Sequence, residues 1–367
     1  MLFFRENNYY KKIIINVYNF IYYVFKILMM VVNKEKMDKN EFNISFLILR
    51  MILSFIVVNN HLLDKSRVKY IYLSKLLKSK ISVPIFFIMS FFLCHKLFLT
   101  NDKIKIMRRL ERLIIPYIAW PIIIWIFKKL FHLRRKNSFY DLKIQILTGH
   151  NFIPVLWFQL NLIISTILIL LIQKIFNKNA LFILVNLQII SFYLQYSHIN
   201  KKYFSKFSYY TKYPFGRFIE IIPFCISGYF IGSLYFMKYL KKYRIKILHT
   251  LILIIFSFIK YNIFIAIEGF QYQGIKLFII SIIIFIIFAL NPFEKITNYK
   301  NIILILTNYT SGIYYLHLPI WNFLSYYMIL IRKKTYSTSI IIYIICYFIS
   351  FIGIRIFGKT KLKHLFL

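Results

Sequence analysis

The chain has 367 residues, 60% of them hydrophobic and 16% charged, with a mean hydropathy of +0.65, a balance that excludes an ordinary soluble enzyme. Forty-nine Lys and Arg against 11 Asp and Glu leave a formal charge of +38. In a soluble protein that surplus would indicate nucleic acid; here the basic residues punctuate apolar runs of membrane-spanning length instead of building one charge-dense face, and no nucleic-acid partner is expected. Ile, Phe, Tyr, Lys and Asn are all plentiful, the skew that AT-rich coding produces, so part of the lysine content carries no functional message.

Residues 1–40 stand apart as an N-terminal extension. They include the apolar stretch Ile13 to Val32, interrupted by Asn16, Asn19 and Lys26, and Met37 offers a second start just before the first strong helix. An eleventh span, an interfacial helix and an untranslated leader all fit that stretch, while a cleavable signal peptide lacks its small-residue site. From there, apolar runs are predicted at 43–62, 82–99, 113–131, 154–173, 180–197, 217–237, 247–266, 275–291, 302–330 and 338–357. They are too long, and apolar on too many sides, for barrel strands. The expected fold is therefore all-α, a polytopic integral membrane protein of about ten transmembrane helices, with residues 41–360 as one membrane domain. The ninth run is long enough to be bent or re-entrant, and Pro319 is the natural place for a break. Lys and Arg divide almost evenly between alternate loops, so charge bias does not set the orientation.

Cys94, Cys225 and Cys346 lie in or beside apolar runs without CxxC spacing or His pairs, which points to small core residues and to no metal site. More informative are ionisable groups inside the runs, because a charge at the bilayer centre is costly and faces protein or a water-filled cavity. Arg50 and His61 are eleven residues apart on the first helix, three turns plus about 20°, so they share one face about 16 Å apart along the axis. A snorkelling arginine and a helix-end histidine beside Asp64 is the competing reading. Arg108, Arg109 and Arg112 open the third helix; Arg109 and Arg112, three apart, form a fork suited to phosphates, or equally a membrane-surface anchor. Glu220 is the acid placed most clearly inside a span, with Arg217 one turn away as an intrahelical partner. His317 sits beside Pro319, where a broken helix would let the ring enter a cavity.

Taken in order, five stretches resemble acyltransferase family 3, integral membrane enzymes that O-acylate surface glycans. Arg50 and His61 match an arginine-x10-histidine spacing. Val83-Pro84-Ile85-Phe86-Phe87-Ile88-Met89-Ser90-Phe91-Phe92-Leu93 is similar to V-P-x-F-F-x-x-S-G-F-L, with Phe91 standing where the family has Gly. Arg109-Leu110-Glu111-Arg112-Leu113-Ile114-Ile115-Pro116-Tyr117 resembles R-x-x-R-x-x-x-P-Y. Leu156-Trp157-Phe158 and Ser311-Gly312-Ile313-Tyr314-Tyr315-Leu316-His317-Leu318-Pro319 resemble L-W-F and S-x-x-Y-x-x-H-x-P.

The resemblance implies transfer of an acyl group, usually acetyl, from acyl-CoA to a hydroxyl of a surface or lipid-linked glycan in the cell membrane, with no permanently bound cofactor. Under it His61 is the general base, with a transient acyl carrier as its other role, and Arg50 holds the carbonyl or stabilises the oxyanion. Arg109 and Arg112 grip CoA phosphates. Ser90, Trp157, Glu220, Tyr315 and His317 are expected to line the substrate path, although packing is an equal explanation for the two aromatics. A transporter, flippase or polymerase of lipid-linked glycans is the competing class; the internal symmetry common in transporters is absent from the sequence.

Overall fold

The computed structural model describes residues 44–62, 81–100, 102–130, 146, 156–196, 215–233, 240, 242–251, 275–290, 303–304, 307, 309–327, 336–357 and 359–360. The 1–40 extension, Met37, Asp64 and most of the 247–266 run lie outside them. Among the described residues there is no strand. The long helices are α1 (Ile44–Leu62), α2 (Ser82–Thr100), α3 (Lys103–Leu130), α4 (Leu156–Phe176), α5 (Ala180–Tyr196), α6 (Phe215–Ile231), α7 (Ile275–Ala289), α8 (Thr310–Tyr327) and α9 (Tyr336–Phe357). A short 3-10 turn, Asn177–Asn179, joins α4 to α5, with Asn177 at a left-handed φ of 39°, a conformation Asn tolerates better than most side chains. By length and composition, Ile44–Leu62, Leu156–Phe176 and Thr338–Phe357 suffice to cross a membrane, and four shorter helices are also apolar.

Two sequence expectations are corrected. The third helix begins at Lys103, so the arginine cluster lies within its early turns and does not open it. Asp102 caps this helix: its Oδ1 accepts the Lys105 backbone N–H at 3.2 Å, and its other oxygen pairs with the Lys105 ammonium at 2.9 Å. The Lys105 side chain, then its backbone N–H, hold the Asp102 carboxyl below the usual carboxylate range. The ninth run does not break at Pro319. Helix α8 starts at Thr310 and continues through the proline to Tyr327. Only the N–H that would reach the Tyr315 carbonyl is lost there, a defect that packed membrane helices tolerate.

Helix α2 is central, with α6, α7, α1 and α4 packed around it, while α8 lies against α1 and α9. Lipid gives apolar helices no hydrophobic reason to associate, so close van der Waals approach has to hold them. Gly228 and Gly232 supply that approach on α6. A Cβ built on Gly228 would stand 2.2 Å from the Ile88 carbonyl oxygen of α2, and one on Gly232 would stand 2.7 Å from His95 Cβ. The small-xxx-small spacing lies on α6, and α2 is free to carry Phe91 where the family motif has Gly. Phe91 is buried and stacks on Phe98 with ring centroids 5.9 Å apart.

Candidate functional site

Arg50 and His61 both turn toward α8. The accessible His61 ring, at the end of α1, lies 5.2 Å from the ring of His317, which has no accessible surface. His317 Nδ1 is 3.1 Å from the Ile313 carbonyl one turn earlier in its own helix. Arg50, three turns back along α1, lies within electrostatic reach of the Tyr315 hydroxyl. Arg50 and His61, read from the sequence as sharing one face of α1, thus come near Tyr315 and His317, two residues expected to line the substrate path, across the α1–α8 interface. His317 reaches it on a continuous helix, without the expected break.

Tyr315 leads further inward. Its hydroxyl donates to Gln159 Oε1 on α4, and Gln159 Nε2 donates to the Leu113 carbonyl on α3 at 2.8 Å. Leu113 follows Arg112, whose own carbonyl has lost its helical donor to Pro116. Trp120 of α3 stacks on Tyr315 with centroids 6.1 Å apart. Three helices therefore fix one phenol, which keeps the polar groups satisfied in a dry interior.

The second cluster forms around Arg109. Its Nε and Nη2 donate to Thr166 Oγ1 at 3.4 and 3.3 Å, Nη2 also to Ser90 Oγ at 3.1 Å, and Nη1 to Cys94 Sγ at 2.6 Å. The guanidinium also lies 5.5 Å from the centroid of Phe91. Arg109 is half-buried between α2 and α4, whereas Arg112 and Arg108 are exposed. Ser90 is therefore brought to the arginine cluster and not to the histidines. Cys94 is no inert core residue: it takes an arginine N–H, while Cys225 and Cys346 are buried as expected.

Trp157 is buried, edge-on to Phe158 at 6.4 Å. Glu220 is 4% exposed on α6, the helix packed principally on α2 and α5. The side chain of its expected partner, Arg217, lies outside the described residues. Among the described residues no three His, Cys, Asp or Glu gather in a way that would hold a metal ion.

Sequence reading missed Gln159, Thr166 and Gln173. They are seven residues apart on α4 and occupy one stripe, since seven residues make two turns less about 20°. Each meets a partner on another helix: Gln159 accepts from the Tyr315 hydroxyl, Thr166 accepts from Arg109, and Gln173 accepts from the Tyr229 hydroxyl at 3.0 Å. A heptad of uncharged polar residues inside an apolar run was the available signal.

Apolar helices that bury histidine and glutamate and half-bury arginine in their interfaces, as the described residues do, mark a membrane protein. The family model for the acyltransferase domain matches residues 43–358, and the chain belongs to acyltransferase family 3. No curated protein and no solved structure matches it.

Proposed function

We propose that the protein transfers an acyl group, acetyl in the usual case, from acyl-CoA to a hydroxyl of a surface or lipid-linked glycan in the cell membrane, through a domain of about ten membrane spans. The observation that carries this reading is the α1–α8 interface: an accessible His61 against a buried His317, with Arg50 on the same face of α1 within electrostatic reach of Tyr315. His61 takes the proton of the acceptor hydroxyl as its oxygen attacks the thioester carbonyl. Arg50 stabilises the charge that develops on the carbonyl oxygen. The carbon–sulfur bond then breaks, and the imidazolium returns its proton to the CoA thiolate. Arg109 and Arg112 bind the donor's phosphates, with Arg112 and the neighbouring Arg108 supplying accessible guanidinium groups while Arg109 is braced by Ser90, Cys94 and Thr166.

Purified protein is incubated with labelled acetyl-CoA and membrane glycan, and labelled glycan and CoA release are followed. His61→Ala is expected to abolish transfer while protein abundance in the membrane is unchanged; retained transfer would overturn the base assignment. Arg109→Ala with Arg112→Ala is expected to raise KM for acetyl-CoA. An effect confined to the glycan would move the donor site elsewhere, and glycan movement without acyl transfer would favour a flippase.

A further inference from the structure

We infer that His317 is a positioning residue for His61, accepting a hydrogen bond from one ring N–H of His61 and so turning the other ring nitrogen outward as the base. The inference rests on the reading of His61 as the base and adds a residue that acts through it.

The tautomer of His317 follows from its neighbour. The Ile313 carbonyl, 3.1 Å from Nδ1, can only accept, so Nδ1 carries the proton and the neutral ring presents Nε2 as a bare lone pair. That Nε2 is buried and has no hydrogen-bond partner in the structure. Leaving a buried acceptor unmet costs about 1–3 kcal/mol, and buried polar groups nearly always find a partner. The ring beside it is His61, tilted 40° at a centroid distance of 5.2 Å, and a neutral imidazole carries one N–H to donate. Subtracting the radii of two imidazoles from that separation leaves roughly a hydrogen-bond length between facing nitrogens. Rotation of the accessible His61 ring therefore seats an N–H on Nε2 without movement of either helix.

The consequence is directional. With one nitrogen committed to the buried side, the other points its lone pair to the accessible side, where an acceptor hydroxyl arrives. After proton transfer His61 is an imidazolium, and its bond to Nε2 becomes charge-assisted. The logic is that of a base oriented by a third group, with a neutral ring in place of a carboxylate. The continuous α8 helix holds the Ile313 carbonyl and His317 one turn apart, so the orienting lone pair is itself fixed.

The test uses the full chain in nanodiscs with labelled acetyl-CoA and native glycan. His317→Met keeps an apolar side chain of similar reach but loses the acceptor; kcat is expected to fall by about 10²-fold or more with KM for acetyl-CoA unchanged. His317→Gln restores an acceptor oxygen and is expected to recover at least about tenfold of that loss. Wild-type kcat in His317→Met, or equal defects in the two variants, would overturn the assignment. A measurement independent of variant folding is the ¹⁵N spectrum of the histidines in the wild-type protein. His61 should occupy one tautomer with a hydrogen-bonded N–H, and free exchange between tautomers would also overturn it. His61→Ala run in parallel separates the two ideas: activity in His61→Ala defeats the base reading itself. An inactive His61→Ala beside a fully active His317→Met defeats only the positioning role.

Discussion

A guanidinium that spends its donors on a serine, a threonine and a thiol is not exchangeable with an ammonium. Arg109→Lys keeps the charge but loses the planar fork that reaches Ser90, Cys94 and Thr166 together. A loss of about 2 kcal/mol is expected, the scale of hydrogen bonds to a charged group. Arg112→Lys, on the exposed neighbour, should change stability little. The fraction of monodisperse protein surviving a heating series in detergent compares them. At Tyr315 the expected result is coupling. Tyr315→Phe leaves the Gln159 Oε1 unmet in the interior and costs about 1–3 kcal/mol. Adding Gln159→Leu should therefore cost less than the two single changes summed, and a double-mutant cycle reads the difference. Arg50, His61 and Arg109 were legible in the sequence because a charge in an apolar run is conspicuous. Gln159 and Thr166 were not, because uncharged polar residues in such a run look like dilution until their partners are known. The tilt of His61 onto His317 is a contact between distant segments that no spacing within one helix reveals.

Among the helices, the closest joint is between α2 and α6. Gly228→Ala drives a methyl into the Ile88 backbone, which cannot rotate away, whereas Gly232→Ala first meets the Cβ of His95. Overpacking of this kind costs about 1–3 kcal/mol, and Gly228→Ala should lie at or above the top of that range and above Gly232→Ala. The same heating series ranks them. At the start of α3, the Asp102 cap carries a pH dependence. Its folded carboxyl titrates below the unfolded one, so the stabilisation is complete above the unfolded value and disappears as pH falls through the folded one. Backbone amides of the first α3 turn should therefore lose exchange protection below about pH 4, and Asp102→Asn should remove that dependence. Helix positions were largely legible from apolar runs, and α1, α4 and α9 fall close to the predicted bounds. The beginning of α3 was not, since Lys103 to Arg112 is too basic for a hydropathy window although its cap and arginine contacts make it helical. The continuity of α8 through Pro319 was also hidden, because proline marks a lost N–H but not whether neighbouring helices hold the segment.

At the scale of the whole molecule the sequence carries a formal charge of +38. Of the residues that carry it, Arg50 and Arg109 have described roles among the helices, while Arg108, Arg112, Lys105 and Lys103 are exposed. Each basic residue near an anionic leaflet contributes about 1 kcal/mol of attraction, within a Debye length of about 8 Å at physiological salt. Reconstituted protein should thus be more heat-resistant in vesicles rich in anionic lipid than in zwitterionic ones, with the gap narrowing at high salt. Equal melting in both would assign the surplus to coding bias alone.

The glycine seat on α6 also bears on how the chain is made. Synthesis runs from the N-terminus, so α2 leaves the ribosome long before Gly228 and Gly232 exist, and the groove at Ile88 and Phe92 must wait in lipid for its occupant. The nascent chain therefore passes through a period in which its central helix is inserted but unclasped. During that interval membrane chaperones and proteases meet an incomplete bundle, and a glycine substitution on α6 would prolong it. Such variants would be scarce in the cell before they were slow in the test tube.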